Sequence, residues 1–216
     1  MSKNRDRARI VIADDHVLFA EACKCLLEPE FEVVGIVPDG RELVRAVPEL
    51  RPDVVLLDIS MPELNGLDAG GQIKQKNPSI KLVYVTQIIA PEVAAEAFKR
   101  GASGYVLKHC TALELGIAVR RVLREESYLS PIISKDTVQY LLRSGAIYED
   151  EKHISGRQRE VLQLIAEGKS LKETAYILGL KPGTVAFHKY KMMDSLGINT
   201  SAGLVEYAIK HHLISK

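Results

Sequence analysis

Short apolar runs recur along the first part of the chain: RIVIA (9–13), EVVGIV (32–37), DVVLLD (53–58), KLVYVT (81–86) and GYVLK (104–108). They start about 20 to 28 residues apart, and each is followed by a segment whose apolar positions recur at the helical period. Runs of this kind predict successive βαβ units, hence an α/β doubly wound, five-stranded parallel sheet with helices on both faces. Local chemistry marks several boundaries. Pro91 opens one helix, and Thr111-x-x-Glu114 forms a capping box at the start of the last. Gly70 and Gly71 fall inside the third helix, where each costs about 1 kcal/mol against alanine and nothing in the sequence accounts for the pair.

The pattern changes after residue 127. Residues 128–152 carry no strand signal; Ser130-Pro131 reads as an N-cap with proline at the first helical position, and a short helix follows to about Arg143. The polar segment after Ser144-Gly145 reads as a linker. From 153 to 216 the periodicity is purely helical. Ser155-x-x-Gln158 is a capping box before VLQLIAEG, LKETAYILG is a second short helix, Pro182 opens a third, and Thr200 caps a fourth. Four short helices with tight joints predict an all-α domain containing a helix-turn-helix. The chain therefore divides into 1–127, a linker with a short helix at 128–152, and a helical domain at 153–216.

Charge sharpens this division. Residues 1–127 hold 17 Lys and Arg against 19 Asp and Glu, whereas 153–216 hold 9 against 5 together with four of the six histidines. A basic C-terminal domain suits nucleic acid, although a solvated basic surface would look the same on charge alone. No apolar run approaches the ~20 residues of a membrane span, and no signal-peptide core follows the charged N-terminus. A cytoplasmic protein with no membrane partner is expected. Cys23, Cys25 and Cys110 have no metal or redox spacing and read as core thiols.

Candidate chemistry gathers at the ends of the apolar runs. Asp14 and Asp15 end the first, Asp58 the third, Thr86 the fourth and Lys108 the fifth. In a doubly wound sheet, ligands sit beyond the carboxyl ends of the strands, so these residues fall at one edge. Three carboxylates and one lysine call for more positive charge. Magnesium suits the set, with Asp15 and Asp58 as direct ligands and Asp14 acting through water. A carboxylate beside such an ion can attack phosphorus to give an aspartyl phosphate, with Lys108 neutralising charge on the phosphoryl oxygens. His16 and His109 read as solvent-facing loop residues.

These residues resemble the flavodoxin-like receiver domain of two-component response regulators over roughly residues 8–126: the acidic pair in IADDH, LLDISMPELNG around Asp58, Thr86, and Tyr105 with Lys108 in GASGYVLK. The resemblance implies that Asp58 takes phosphate from a sensor histidine kinase, that the Ser60 carbonyl is a further metal ligand, and that Thr86 and Tyr105 form a switch. Gln87 departs from the family, which usually carries a small residue there, and puts the lifetime of the phosphate in doubt.

Residues 155–196 resemble the LuxR-type helix-turn-helix, through REVLQLIAEGKS, Lys172-Glu173, and Thr184-Val185 with His188, so the whole chain is similar to the NarL/FixJ class. In the third helix, Val185, Met192 and Leu196 should face the core. Ala186, Phe187, Tyr190 and Lys191 should face outward, and with Lys181, Thr184 and Lys189 they form the expected DNA-binding set. Its aromatic character suits thymine methyl groups better than guanine. The resemblance further implies a homodimer on an inverted-repeat site. A magnesium-dependent phosphohydrolase is the rival class, but such enzymes usually place a second acid two residues after the nucleophile, where this chain has Ser60. A phosphate-insensitive docking receiver is a third reading.

Overall fold

The computed structural model describes residues 7–109, 111–144 and 154–214. Its first part alternates strand and helix: β1 (Arg9–Ala13), α1 (Val17–Leu27), β2 (Glu32–Val37), α2 (Gly40–Leu50), β3 (Val54–Leu57), α3 (Gly66–Lys76), β4 (Lys81–Thr86), α4 (Pro91–Lys99), β5 (Gly104–Leu107) and α5 (Ala112–Leu123). The strands are parallel in the order β2-β1-β3-β4-β5, with β6 (Tyr128–Leu129) added beyond β5.

Because side chains alternate across a strand, each run supplies two cores. Val11, Val55, Leu57, Leu82, Tyr84, Tyr105 and Leu107 pack on one face with residues of α2, α3 and α4. Ile10, Ile12, Val54, Leu56, Val83, Val85 and Val106 pack on the other with α1 and α5. At roughly 1.5–3 kcal/mol for each large apolar side chain buried, these two layers dominate the stability of the sheet.

The doubly wound sheet agrees with the apolar pattern and has one strand more than the five expected. Residues 128–129 carry no strand signal in the sequence, yet Tyr128 N donates to Ser103 O and Ser130 N to Tyr105 O, which continues the ladder past β5. Ser130 is not a helix cap. Its buried hydroxyl accepts from Leu107 N at 3.1 Å and donates to Glu114 Oε1 at 2.6 Å. Glu114 is thereby drawn away from the capping box, of which only the Thr111 half forms. Helix α6 runs over Lys135–Ser144, four residues later than the Ser130-Pro131 signal implies, with Ser134 accepting from Thr137 N. It packs on α4 and sinks Val138 beside Ile133 into the core on that face of the sheet.

The helical part comprises α7 (Gly156–Ala166), α8 (Leu171–Leu178), α9 (Pro182–Leu196) and α10 (Ser201–Lys210). Ser155 closes its capping box with Gln158, Ser170 closes another with Glu173, and Gly179 and Gly197 end α8 and α9 in the left-handed region. Residues 145–153, which include the expected polar linker segment, and Cys110 lie outside the described residues. Cys23 is buried as expected, whereas Cys25, two positions on, turns to the exposed face of α1. Gly70 now has a reason: a Cβ there would stand 2.2 Å from the Tyr84 hydroxyl. Gly71 faces open space, and nothing in the structure explains it.

Candidate functional site

Register brings the acidic residues together. Ala13 of β1 lies opposite Leu57 of β3, and Asp58 N donates to Ala13 O, so the two strands deliver Asp14 and Asp58 side by side. Across the sheet, Lys108 N donates to Thr86 O. Asp14 and Asp58 are 3% and 4% exposed. The Lys108 ammonium bonds both, at 2.7 Å to Asp14 Oδ2 and 2.9 Å to Asp58 Oδ2, and lies 4.8 Å from the centre of the Phe19 ring. Lys108 thus supplies part of the positive charge that Asp14 and Asp58 need. Phe19 was not singled out from the sequence, since an aromatic at that helical position reads as ordinary core.

Two carboxylates against one ammonium leave the pocket short of positive charge. Burial pushes the Asp14 carboxyl above its usual range, although the Lys108 and His16 N–H bonds pull the other way. Burial also acts to lower Lys108, but its bonds to Asp14 and Asp58 prevail and hold it above its ordinary value. Donor atoms of Asp14, Asp15, His16 and Asp58 lie within 4.8 Å of one another, with Asp15 and His16 exposed. His16 Nδ1 bonds Asp15 Oδ1 at 2.9 Å. The hard oxygen donors and the surplus negative charge fit a divalent cation such as magnesium. Ser60 stands two residues beyond Asp58 on the loop into α3.

That loop is tightly built. Ile59 N donates to Asp58 Oδ1 at 2.7 Å, Met61 N and Gly66 N both donate to Ile59 O, and a Cβ on Gly66 would meet the Asp58 carbonyl oxygen at 1.9 Å. Glycine at 66 is therefore a condition for the backbone to pass the acidic residue. Thr86 and Tyr105 are buried and meet on the backbone of one residue: Thr86 Oγ1 accepts from Ile88 N at 3.3 Å, and the Tyr105 hydroxyl donates to Ile88 O at 2.8 Å. Burial and the nearby Asp58 charge hold the Tyr105 phenol well above its usual range. Ile88 is a second residue that sequence reading missed, because its backbone does the work. Gln87 is exposed beside it.

In the helical domain, Val185 and Met192 are fully buried, each in its own apolar cluster, and Leu196 packs against that of Met192, so all three face inward as the helical spacing predicts. Lys181 stands at the N-cap of α9 without a side-chain cap, which leaves Pro182 to open the helix. Phe187 and Tyr190 are 61% and 64% exposed. Lys191 lies over Phe187 and Lys189 over Tyr190 at the outer limit of cation–π contact, and Lys189 also reaches Ser201 Oγ. Lys191 is exposed, while Thr184, Ala186 and Lys189 are partly covered. Phe187, Tyr190 and Lys191 are thus open residues of α9 that combine apolar rings with an ammonium group, and Lys181 is exposed at the start of the helix.

Comparison with known proteins agrees with both halves. Residues 10–120 match the family of response regulator receiver domains, and residues 152–208 match the bacterial regulatory proteins of the luxR family. The chain is 32% identical to the transcriptional regulatory protein MctR of Rhizobium johnstonii, over 98% of each chain. It is 34% identical to the oxygen regulatory protein NreC of Staphylococcus aureus, over 95% of this chain and 99% of that one. Among solved structures it resembles the RcsB response regulator of Salmonella typhimurium, with a TM-score of 0.63 and 26% identity over 93% of this chain and 96% of that chain. RcsB bound to the promoter rprA in the presence of the phosphomimetic BeF3- gives a TM-score of 0.60 and 28% identity, over 93% of this chain and 98% of that one.

Proposed function

We propose, from the premise that this chain belongs to the two-component response regulators of the NarL/FixJ class, that Asp58 is its phosphoacceptor and that phosphorylation there switches DNA binding. The protein is a DNA-binding transcriptional regulator and not an enzyme. The observation that carries the phosphoacceptor assignment is the pairing of buried Asp58 and Asp14 on the single ammonium of Lys108.

Asp58 would attack the phosphorus of a phosphohistidine on a sensor kinase. The new O–P bond forms as the N–P bond breaks, and the electron pair returns to the imidazole. Magnesium held by Asp14, Asp15, Asp58 and the Ser60 carbonyl would neutralise charge on the phosphoryl oxygens. Lys108 Nζ, already on Asp58 Oδ2, is placed to exchange that contact for a phosphoryl oxygen. The Thr86 hydroxyl would leave Ile88 N for the same group, and Tyr105, bonded to the carbonyl of that residue, would register the change. The kinase partner follows from the phosphoacceptor chemistry.

On the DNA side, Phe187, Tyr190, Ala186 and Thr184 would meet base edges in the major groove, while Lys181, Lys189 and Lys191 contact phosphates. A homodimer on an inverted-repeat site is the arrangement that helix-turn-helix geometry favours. The test is selection of DNA from a random pool by wild type and Asp58→Asn, each with and without beryllofluoride and magnesium. Enrichment of an inverted repeat by the wild type, strengthened by beryllofluoride and insensitive to it in Asp58→Asn, is expected. Equal enrichment under all four conditions would contradict switching.

A further inference from the structure

Helix α7 presents a polar stripe to the sheet domain. Arg159, Glu160, Gln163 and Glu167 follow one another at helical spacing, and each bonds a residue there. Arg159 Nε donates to Asp68 Oδ1 at 3.0 Å, and Glu160 Oε2 accepts from Arg41 Nη2 at 3.0 Å. Gln163 and Glu167 reach the loop that begins at Asp58.

Gln163 is fully buried and uses both ends of its amide. Its Oε1 accepts from Asn65 N at 2.8 Å and from Asn65 Nδ2 at 3.1 Å, and its Nε2 donates to Met61 O at 2.9 Å and to Glu167 Oε1 at 2.8 Å. Glu167 in turn accepts from Glu63 N at 3.0 Å. Three backbone groups of the 58–66 loop, the Met61 carbonyl and the Glu63 and Asn65 amides, are therefore satisfied by two side chains of the DNA-binding domain. A glutamine meets this demand because the loop offers both a carbonyl to donate to and amides to accept from. Leucine would leave the Met61 carbonyl and the Asn65 amide without these partners, and glutamate would set an oxygen against the Met61 carbonyl.

We infer that Gln163 is a positioning residue for the metal and phosphoryl site of the receiver, so that a side chain of the DNA-binding domain helps to form it. This rests on the reading of Asp14, Asp15, Asp58 and the Ser60 carbonyl as the metal-binding set. The mechanical link is short. The Ser60 carbonyl shares its peptide plane with Met61 N, which donates to Ile59 O at 3.1 Å. Gln163 holds Met61 from the other side, through its carbonyl. Met61 is pinned at both ends, which fixes the direction of the Ser60 carbonyl before a cation arrives. Freeing the Met61 carbonyl lets that plane rotate, and ordering it again must then come out of the binding free energy of the metal. By linkage, magnesium must tighten the contact between α7 and the loop by the same factor.

Calorimetric titration of the full chain with magnesium, without any phosphoryl donor, tests this in wild type, Gln163→Leu, Gln163→Glu and Arg159→Gln. Both Gln163 variants should bind about tenfold more weakly, within the range usual for coupled sites. Arg159→Gln, which loosens the same interface at α3 rather than at the loop, should stay within about twofold of wild type. Wild-type affinity in both Gln163 variants would overturn the inference, and so would equal weakening by Arg159→Gln. Absence of saturable binding by the wild type would instead overturn the metal-site reading, and this inference with it. Circular dichroism identifies a variant that fails to fold, and the two replacements at 163 fail in different ways, so one suffices.

Discussion

Lys108 shows how much one residue can hold at the residue scale. Its ammonium bonds two nearly inaccessible carboxylates, and without it Asp14 and Asp58 would face each other with no cation between them. Removing one partner of a buried ion pair costs about 3–5 kcal/mol, so Lys108→Met should lower the unfolding free energy in urea by about 3 kcal/mol. Added magnesium should recover part of that loss, and a variant as stable as wild type in the absence of magnesium would contradict the pairing. Glu167 gives a prediction in pH. Burial lifts its carboxyl above the usual range against the bonds it accepts from Gln163 and Glu63 N. Its folded-state pKa exceeds its unfolded value, so the folded chain binds the proton more tightly, and this group adds stability as pH falls through the raised value toward the ordinary carboxylate range. Glu167→Gln should remove that acid-side gain, and melting temperatures of the two proteins across pH 4–7 measure it. Parallel curves would contradict the assignment. Asp14, Asp15, Asp58, Thr86 and Lys108 were legible in the sequence because they end apolar runs, where a buried strand gives way to a ligand-facing edge; Tyr105, inside its run, came only from the family resemblance. Gln163 and Glu167 were not, since a polar stripe on a helix looks the same whether it faces water or another domain.

At the scale of elements, the principal strands and helices follow from period and capping, and the exceptions are instructive. β6 is two residues long, too short for any alternation to show, and its existence depends on the open edge of β5 that receives it. Ser130 before Pro131 has the composition of a helix start, but its hydroxyl is more useful to the ladder, where Leu107 N needs an acceptor and Glu114 a donor. Ser130→Ala should leave Leu107 N unsatisfied inside the protein and cost about 1–3 kcal/mol, read from the urea midpoint at unchanged slope. A loss below about 0.5 kcal/mol would show that β6 and α6 fold independently of the sheet. Gly70 belongs here as well. Its reason lies in the Tyr84 hydroxyl on another element, and local sequence cannot show that.

On the scale of the whole molecule, a receiver domain is joined to a helical domain with a cationic, aromatic surface, and α7 rests on the loop leaving Asp58. The domain order was legible from periodicity and charge, whereas the way α7 meets the sheet domain was not, because it depends on side chains that pair only across the interface. If Lys181, Lys189 and Lys191 contact phosphates, replacing all three by alanine should reduce the slope of log K against log salt by about 0.9 per contact, leaving sequence preference intact. A slope equal to that of wild type would place the phosphate contacts elsewhere. The central claim, that Asp58 accepts phosphate in a magnesium-dependent pocket, is tested most directly by the intact mass of wild type and Asp58→Asn after incubation with acetyl phosphate, with and without magnesium. One phosphoryl adduct is predicted in the wild type with magnesium and in none of the other three samples; an adduct of the same yield in Asp58→Asn, or no adduct in any sample, would contradict it.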